Sequence, residues 1–140
     1  MDYVISAMTI EDYEAVMALW RSAKGIGLSE ADSRDNIKAY LERNPGFSSV
    51  ARLSGEVVGA LLCGHDGRRG FLHHLAVKEE QRRRGVGRML VDRSLNHLSR
   101  AGISKCHLFV FQENEEAKEF WQKLGWSRRV DIGIMSIKVH

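Results

Sequence analysis

The sequence predicts an α/β domain of the α+β kind, with a mixed, mostly antiparallel central sheet flanked by helices. Three observations predict it. Residues 47–77 hold three β-rich runs joined by short turns, "FSSVARL", "VVGALLCG" and "GFLHHLAV". Helical stripes of apolar residues lie on both sides of that meander. A further apolar run, "KCHLFVF", returns after the second helical region, as a strand reached by a crossover does.

Taken in order, "YVISAMT" alternates and reads as a first strand. Thr9 with Asp12 three residues on makes a capping box, and Ile10, Tyr13, Val16, Met17 and Trp20 follow on one stripe, predicting a helix from Ile10 to about Ala23. "KGIGLSEADSR" interrupts, and a short helix over Asn36–Arg43 ends at "NPG". Turns at "SGE" and at "HDGR", the latter of the Asp-Gly type, separate the meander strands. Leu90, Val91, Ser94, Leu95 and Leu98 mark the next helix, stopped by Gly102. After "KCHLFVF" as a buried strand, Asn114 caps a helix with Ala117, Phe120, Trp121 and Leu124 on its stripe and Gly125 as its stop. "WSRRV" and "IGIMSIKV" read as a closing hairpin. The expected order is β-α-α-β-β-β-α-β-α-β-β.

The 140 residues fit one domain, 1–140, with 44% apolar residues and a single proline arguing for an ordered core. No run is long and apolar enough for a membrane span, and the acidic opening "MDYVISAMTIEDYE" is unlike a signal peptide. Two cysteines, Cys63 and Cys106, without a CxxC point to a reducing, cytoplasmic setting. Lys+Arg at 21 against Asp+Glu at 18 gives only +3, so basic residues cluster locally without dominating the chain.

That cluster is "KEEQRRRGVGRML", Lys78–Leu90, between the strand ending "HLAV" and a helix starting near Val86. A helix start presents unpaired N–H groups and a partial positive charge, which suits phosphate. Gly85 and Gly87 remove Cβ atoms where a diphosphate would approach the backbone. Hydrogen bonds to a charged group contribute about 1.5–3 kcal/mol each, so three or four N–H donors approach the roughly 8 kcal/mol of micromolar binding. Exposed arginines contribute about 1 kcal/mol apiece and could not do so alone. The Walker lysine and the third glycine of a dinucleotide fingerprint are both absent. With no helix-turn-helix or aromatic RNA-binding signature, and with acids interleaved, a nucleic-acid partner is the weakest reading.

Three motifs in order, "LAV" (Leu75–Val77), "RRRGVG" (Arg82–Gly87) and "NEEAKEFWQKLGW" (Asn114–Trp126), resemble the GCN5-related N-acetyltransferases, GNAT, over Val57–Trp126. The run "VVGALLCGHDGRRGFLHHLAV" is most similar to the small bacterial YpeA-type members. The resemblance implies the GNAT acyl-CoA N-acyltransferase fold and transfer of an acetyl group from acetyl-CoA, as co-substrate, to a primary amine that attacks the thioester directly. It implies that the backbone of Leu75, Ala76 and Val77 holds the pantetheine arm. Arg82, Arg83, Arg84, Gly85, Val86, Gly87 and Arg88 would hold the diphosphate, and Asn114 would touch the coenzyme. No metal is implied. The acceptor is open among small amines, antibiotics, peptide N-termini and protein lysines; neither nucleic acid nor membrane is implied, and a homodimer is compatible with the reading. A module that binds acyl-CoA without catalysis is the alternative.

The chemistry requires a neutral amine. Neutralising a lysine-like amine of pKa about 10.4 at pH 7 costs about 4–5 kcal/mol, against about 1 for an α-amine near 8. Many family members place a tyrosine as general acid where this chain has Trp121, whose indole supplies no proton at neutral pH. Trp121 and Phe71 are expected to line the acyl and amine channel. His73 is the candidate base, read as sharing a strand face with Phe71, Leu75 and Val77, with His74 on the opposite face.

Overall fold

The computed structural model describes residues 2–140. Two compact units emerge, one ending at Phe109 and one running from Val110 to His140. Among the described residues, no helix is long and apolar enough to cross a membrane.

In the first unit, β1 (Tyr3–Ala7), β2 (Ser49–Leu53), β3 (Glu56–His65), β4 (Gly70–Val77) and β5 (Cys106–Leu108) form one sheet in the order β1-β2-β3-β4-β5. The first four pair antiparallel; β4 and β5 are parallel. Thr9 donates its backbone N–H to the Asp12 carboxylate at 2.9 Å, and a 3-10 turn over Ile10–Asp12 leads into α1 (Tyr13–Ser22). Asp12 also takes the Arg52 guanidinium, pinning this helix start to β2. α2 (Arg34–Arg43) begins two residues earlier than expected, because the Ser33 hydroxyl caps it by accepting from Asn36 N–H at 3.2 Å. α3 (Val86–Arg100) carries the crossover between β4 and β5.

The two sheet faces are separable by register, because directly opposed residues share a face. Val50, Ala60 and Ala76 are successive partners, and all three join Met8, Val16, Met17, Trp20 and Ile37 in the core beneath α1 and α2. Ala51, Gly59 and Val77 form the neighbouring row on the opposite face, beneath α3. A Cβ on Gly59 would lie 3.0 Å from Leu90 and 3.2 Å from Val86, so the missing side chain lets α3 approach. Ser94 of α3 donates to the Phe47 carbonyl at 2.7 Å and shares a 2.9 Å hydroxyl contact with Ser49, which fixes the helix laterally.

β4 contains a bulge. His73 is opposite Leu62 and Ala76 opposite Ala60, so His74 and Leu75 together face Leu61. His74 takes a left-handed conformation, φ 58°. The strict alternation expected along "FLHHLAV" therefore fails. His73 lies in the row of Leu62 on the α1/α2 face, whereas Val77 lies in the row of Gly59 on the α3 face. His74 does not turn away; its ring meets Trp20 of α1 at 5.0 Å.

In the second unit, α4 (Glu115–Lys123) starts as expected, with Asn114 Oδ1 accepting from Ala117 N–H at 3.1 Å. Lys118, buried at its amine, donates to the Gln112 carbonyl and to Glu115 at 3.0 Å. The closing hairpin is a correction: residues 127–140 form no strand. Only Asp131 separates its two runs, bound back to Arg129 at 3.0 Å, where a tight hairpin needs two residues at positive φ. A lone hairpin is also marginal in water. Val130, Ile134, Met135, Ile137 and Val139 are exposed in consequence. The buried strand expected over "KCHLFVF" shortens to Cys106–Leu108, with Phe109 and Phe111 exposed.

Gly64 tests the packing of β3 against α2. A Cβ there would lie 2.5 Å from the Tyr40 hydroxyl and 2.7 Å from Asn44 Nδ2. Asn44 is not free to yield, since its Oδ1 accepts from His65 N–H at 3.1 Å. Gly64→Ala should destabilise the protein by about 1–3 kcal/mol in urea unfolding, as overpacking does.

Candidate active site

The site begins where β4 and β5 part. They pair only over Gly70–Leu72 with Cys106–Leu108, so among the described residues His73–Val77 pairs with no strand on the side away from β3. That leaves the backbone of Leu75, Ala76 and Val77 beside an open edge in the first unit. Such an edge pairs with an extended chain, as an added strand would. The Val77 carbonyl already takes one donor, Arg82 Nε at 3.1 Å.

The edge leads into the arginine-glycine loop. A 3-10 turn over Glu79–Gln81 and Arg83 at φ 63° bring the chain to Gly85, at φ 82° the N-cap of α3. Glycine suits that left-handed position, and a Cβ there would meet nothing within 4 Å. No side chain caps the helix. The first-turn N–H groups of Val86, Gly87 and Arg88 are thus presented beside exposed Arg82, Arg83, Arg84 and Arg88. Val86 and Gly87 themselves are buried. The loop is anchored from behind by the Tyr3 hydroxyl, which donates to Gln81 Oε1 at 2.5 Å. Arg88 also reaches Asp92 at 4.0 Å, an exposed pair worth little.

His73 lies in an aromatic group on the α1/α2 face. Its ring stacks with Phe71 at 6.5 Å and Phe109 at 6.1 Å, and meets Tyr40 edge-on at 6.4 Å. Among the described residues none hydrogen-bonds the ring, so both nitrogens are available to a ligand. Burial, and then the electrostatic influence of the neighbouring His74 ring, hold its pKa below the ordinary 6.5, with Asp32 opposing. His73 is therefore neutral at pH 7, the form a base requires. Phe71 forms one wall of this group.

The sequence reading missed a pair. His74 Nε2 lies 2.9 Å from Asp32 Oδ1, and Asp32 is buried. The other carboxylate oxygen of Asp32 accepts from Ser29 N–H at 3.1 Å, and its backbone carbonyl accepts from the Tyr13 hydroxyl at 2.7 Å. The spacing Ser29–Asp32 marks a capping box, but nothing in the sequence ties it to a histidine 42 positions away. Beside this pair the Trp20 indole N–H is buried without a hydrogen-bond partner.

The cysteines are not nucleophiles. Burial pushes the Cys63 thiol up to about 12 and the Cys106 thiol up to about 11, so neither carries a thiolate at neutral pH. In the second unit, Trp121 is half-buried against Phe120 at 5.1 Å and Trp126 at 5.2 Å, and Asn114 is engaged as the α4 cap. Their coenzyme and channel roles remain what the family resemblance implies.

This fold and this loop define an acyltransferase of the coenzyme A type, and comparison with known proteins places the family. Residues 13–126 match the model of the acetyltransferase (GNAT) family. An acetyltransferase of Pectobacterium atrosepticum is 32% identical over 114 residues, covering 81% of this chain and 80% of that protein. The PaiA N-acetyltransferase of Thermoplasma acidophilum, solved in complex with coenzyme A, superposes with TM-score 0.82 at 20% identity, over 95% of this chain and 94% of that one. The structure of AAC(6')-Iy with the bisubstrate analogue CoA-S-monomethyl-acetylneamine gives TM-score 0.78 at 17% identity, over 99% of each chain. The chain belongs to the acetyltransferase (GNAT) family and is an acetyl-CoA-dependent acetyltransferase.

The low pKa of His73 has a measurable consequence. A histidine depressed in the folded state supplies stability that is complete above its unfolded value of 6.5 and is lost as pH falls through the folded value. The His73 ring resonances should titrate below 6.5 in NMR. His73→Phe should show a shallower loss of stability than wild type on acidification below that pH.

Proposed function

We propose that this protein N-acetylates a primary amine, with the amine attacking the acetyl-CoA thioester directly. The observation that carries the reading is the continuous path from the unpaired β4 edge at His73–Val77 to the uncapped, glycine-led start of α3. The edge fits an extended thioester arm, and the helix start with its arginines fits a diphosphate. The coenzyme bound by PaiA and the acetylneamine analogue bound by AAC(6')-Iy, on the same fold, support an amine acceptor. Leu75, Ala76 and Val77 take the pantetheine arm, and Arg82–Arg84 and Gly85–Arg88 take the phosphates. For Asn114 a coenzyme contact, and for Phe71 and for Trp121 a channel role, are what the family resemblance implies. We take residues 1–140 to work as one catalytic domain.

Direct attack is favoured over a cysteine-bound acetyl group because burial holds both thiols protonated. His73 accepts the proton that makes the amine nucleophilic. Its neutral ring at the start of the open edge supports that role.

The test is turnover of acetyl-CoA with neamine, a peptide with N-terminal alanine and a lysine-containing peptide, read by coenzyme A release and product mass. Acetylation of at least one is expected; binding of acetyl-CoA without transfer to any of them would favour a non-catalytic sensor. Gly87→Val should weaken acetyl-CoA binding at least about tenfold, or 1.4 kcal/mol, in calorimetry while the fold persists. His73→Ala should lower kcat by about 10²–10⁴-fold with acetyl-CoA affinity little changed. A His73→Ala variant with wild-type kcat would make the ring a channel wall alone.

A further inference from the structure

We propose that His74, held by Asp32, is a second catalytic histidine: it takes the proton the acceptor nitrogen sheds during acyl transfer and delivers it to the departing sulfur. The inference rests on the amine-acetylation reading above.

Proton accounting makes room for it. An alkylammonium acceptor loses one proton to become nucleophilic and a second as the amide forms. As the N–C bond forms and the C–S bond breaks, the C–S electron pair leaves on sulfur. The second proton can then move from nitrogen to His74 Nδ1 and on to that sulfur. Amide and free thiol result, and the imidazole ends neutral as it began. Nitrogen and sulfur flank the same carbon during the exchange, so one imidazole can serve both. Trp121, standing where the family's tyrosine would be, offers no proton for this step.

The geometry assigns the parts. Asp32 Oδ1 accepts from His74 Nε2 at 2.9 Å, which fixes the ring with its proton on Nε2 and a lone pair on Nδ1. Among the described residues Asp32 is the ring's hydrogen-bond partner, so Nδ1 is left for a ligand. Asp32 is itself buried and held by Ser29 N–H and the Tyr13 hydroxyl. The groups facing His74 are Trp20 of α1, Asp32 before α2 and His73 of β4, whose ring centroid is 6.3 Å away; Tyr40 of α2 stands behind His73. The left-handed bulge brings His74 to the side of the sheet that His73 occupies, at the start of the strand edge that β5 leaves open. The arrangement matches the oriented acid–imidazole pair of acyl-transfer enzymes in its logic, with an amine in place of a serine.

Two substitutions keep the tether while removing the proton path. His74→Gln retains an N–H donor for Asp32. Asp32→Asn must keep its oxygen toward Ser29 N–H, so its amide N–H₂ faces His74 Nε2 and moves the ring proton to Nδ1. Asp32 is thus a positioning residue, and ¹⁵N-detected NMR of the free protein reads its effect as the His74 tautomer. We expect Nε2–H in wild type and Nδ1–H in Asp32→Asn. Both variants should lose about 10²-fold or more in kcat for whichever of the three amines above is acetylated, with acetyl-CoA affinity within twofold of wild type. Folded variants that keep wild-type kcat, or a wild-type ring protonated on Nδ1, overturn the proposal while the acetyltransferase reading stands. A wild type that binds acetyl-CoA and acetylates none of the amines overturns both. If either variant fails to fold, the wild-type tautomer decides, Nε2–H supporting and Nδ1–H overturning.

Discussion

One extra residue in β4, opposite Leu61, shapes the functional half of this protein. Ahead of it, His73 faces the helices α1 and α2; beyond it, Val77 faces α3. The bulge forces a histidine into the left-handed region, where a residue with a Cβ costs about 1–2 kcal/mol. A hydrogen bond to a charged group contributes about 1.5–3 kcal/mol, so the bond from His74 to Asp32 is of the size needed to offset that cost. The pair therefore has a structural role whatever chemistry it performs. It also ties the loop ahead of α2 to the strand that carries the site.

The open edge follows from the same region. β4 keeps its partner β3 through Val77, but loses β5 after Leu72. A parallel pair needs a crossover, and here the crossover is α3, whose start must lie near the end of β4. The divergence thus places an unpaired backbone edge and a helix N-terminus in succession. Ligands of open α/β sheets gather beyond the carboxyl ends of strands for the same reason. An exposed strand edge is ordinarily an aggregation hazard, and a short one, flanked by arginines, is the manageable form.

Most of the fold was legible because it is written locally. The β4 run "GFLHHLAV" matches the observed Gly70–Val77 residue for residue, and α3 begins at the expected Val86. Glycines at Gly85, Gly102 and Gly125 take the positive φ that their positions at helix ends require. The misses have separate physical origins. A bulge inverts side-chain alternation without leaving a mark in composition, so His74 was assigned to the wrong face. Asp32 reads locally as a helix-cap residue, and its partner is set by tertiary packing across 42 positions. The closing hairpin was inferred from apolar residues alone, although one intervening residue cannot make the turn. The arginine-glycine loop and the helix start after it were legible because they are adjacent in sequence; the contact of His74 with Asp32 was not, because those residues are adjacent only in space.

The division of labour between the two ends of the β4 edge follows from what each must stabilise. On the proposed reading, phosphates carry fixed charge, and exposed arginines with unpaired N–H groups would meet it without any need to change protonation. In the proposed transfer nitrogen and sulfur exchange protons within a single turnover, so the groups beside them must be neutral and tunable at pH 7. Histidine is the residue type that meets both conditions, and two adjacent histidines differ here only in their surroundings. His73 is left without a hydrogen-bond partner among aromatic rings, and burial keeps it neutral. His74 is fixed by a buried carboxylate. Burial favours the ring that must stay uncharged until the amine arrives. An adjacent pair of identical residues thereby acquires different surroundings, and the difference is made by one aspartate delivered from a loop that the sheet itself does not contain.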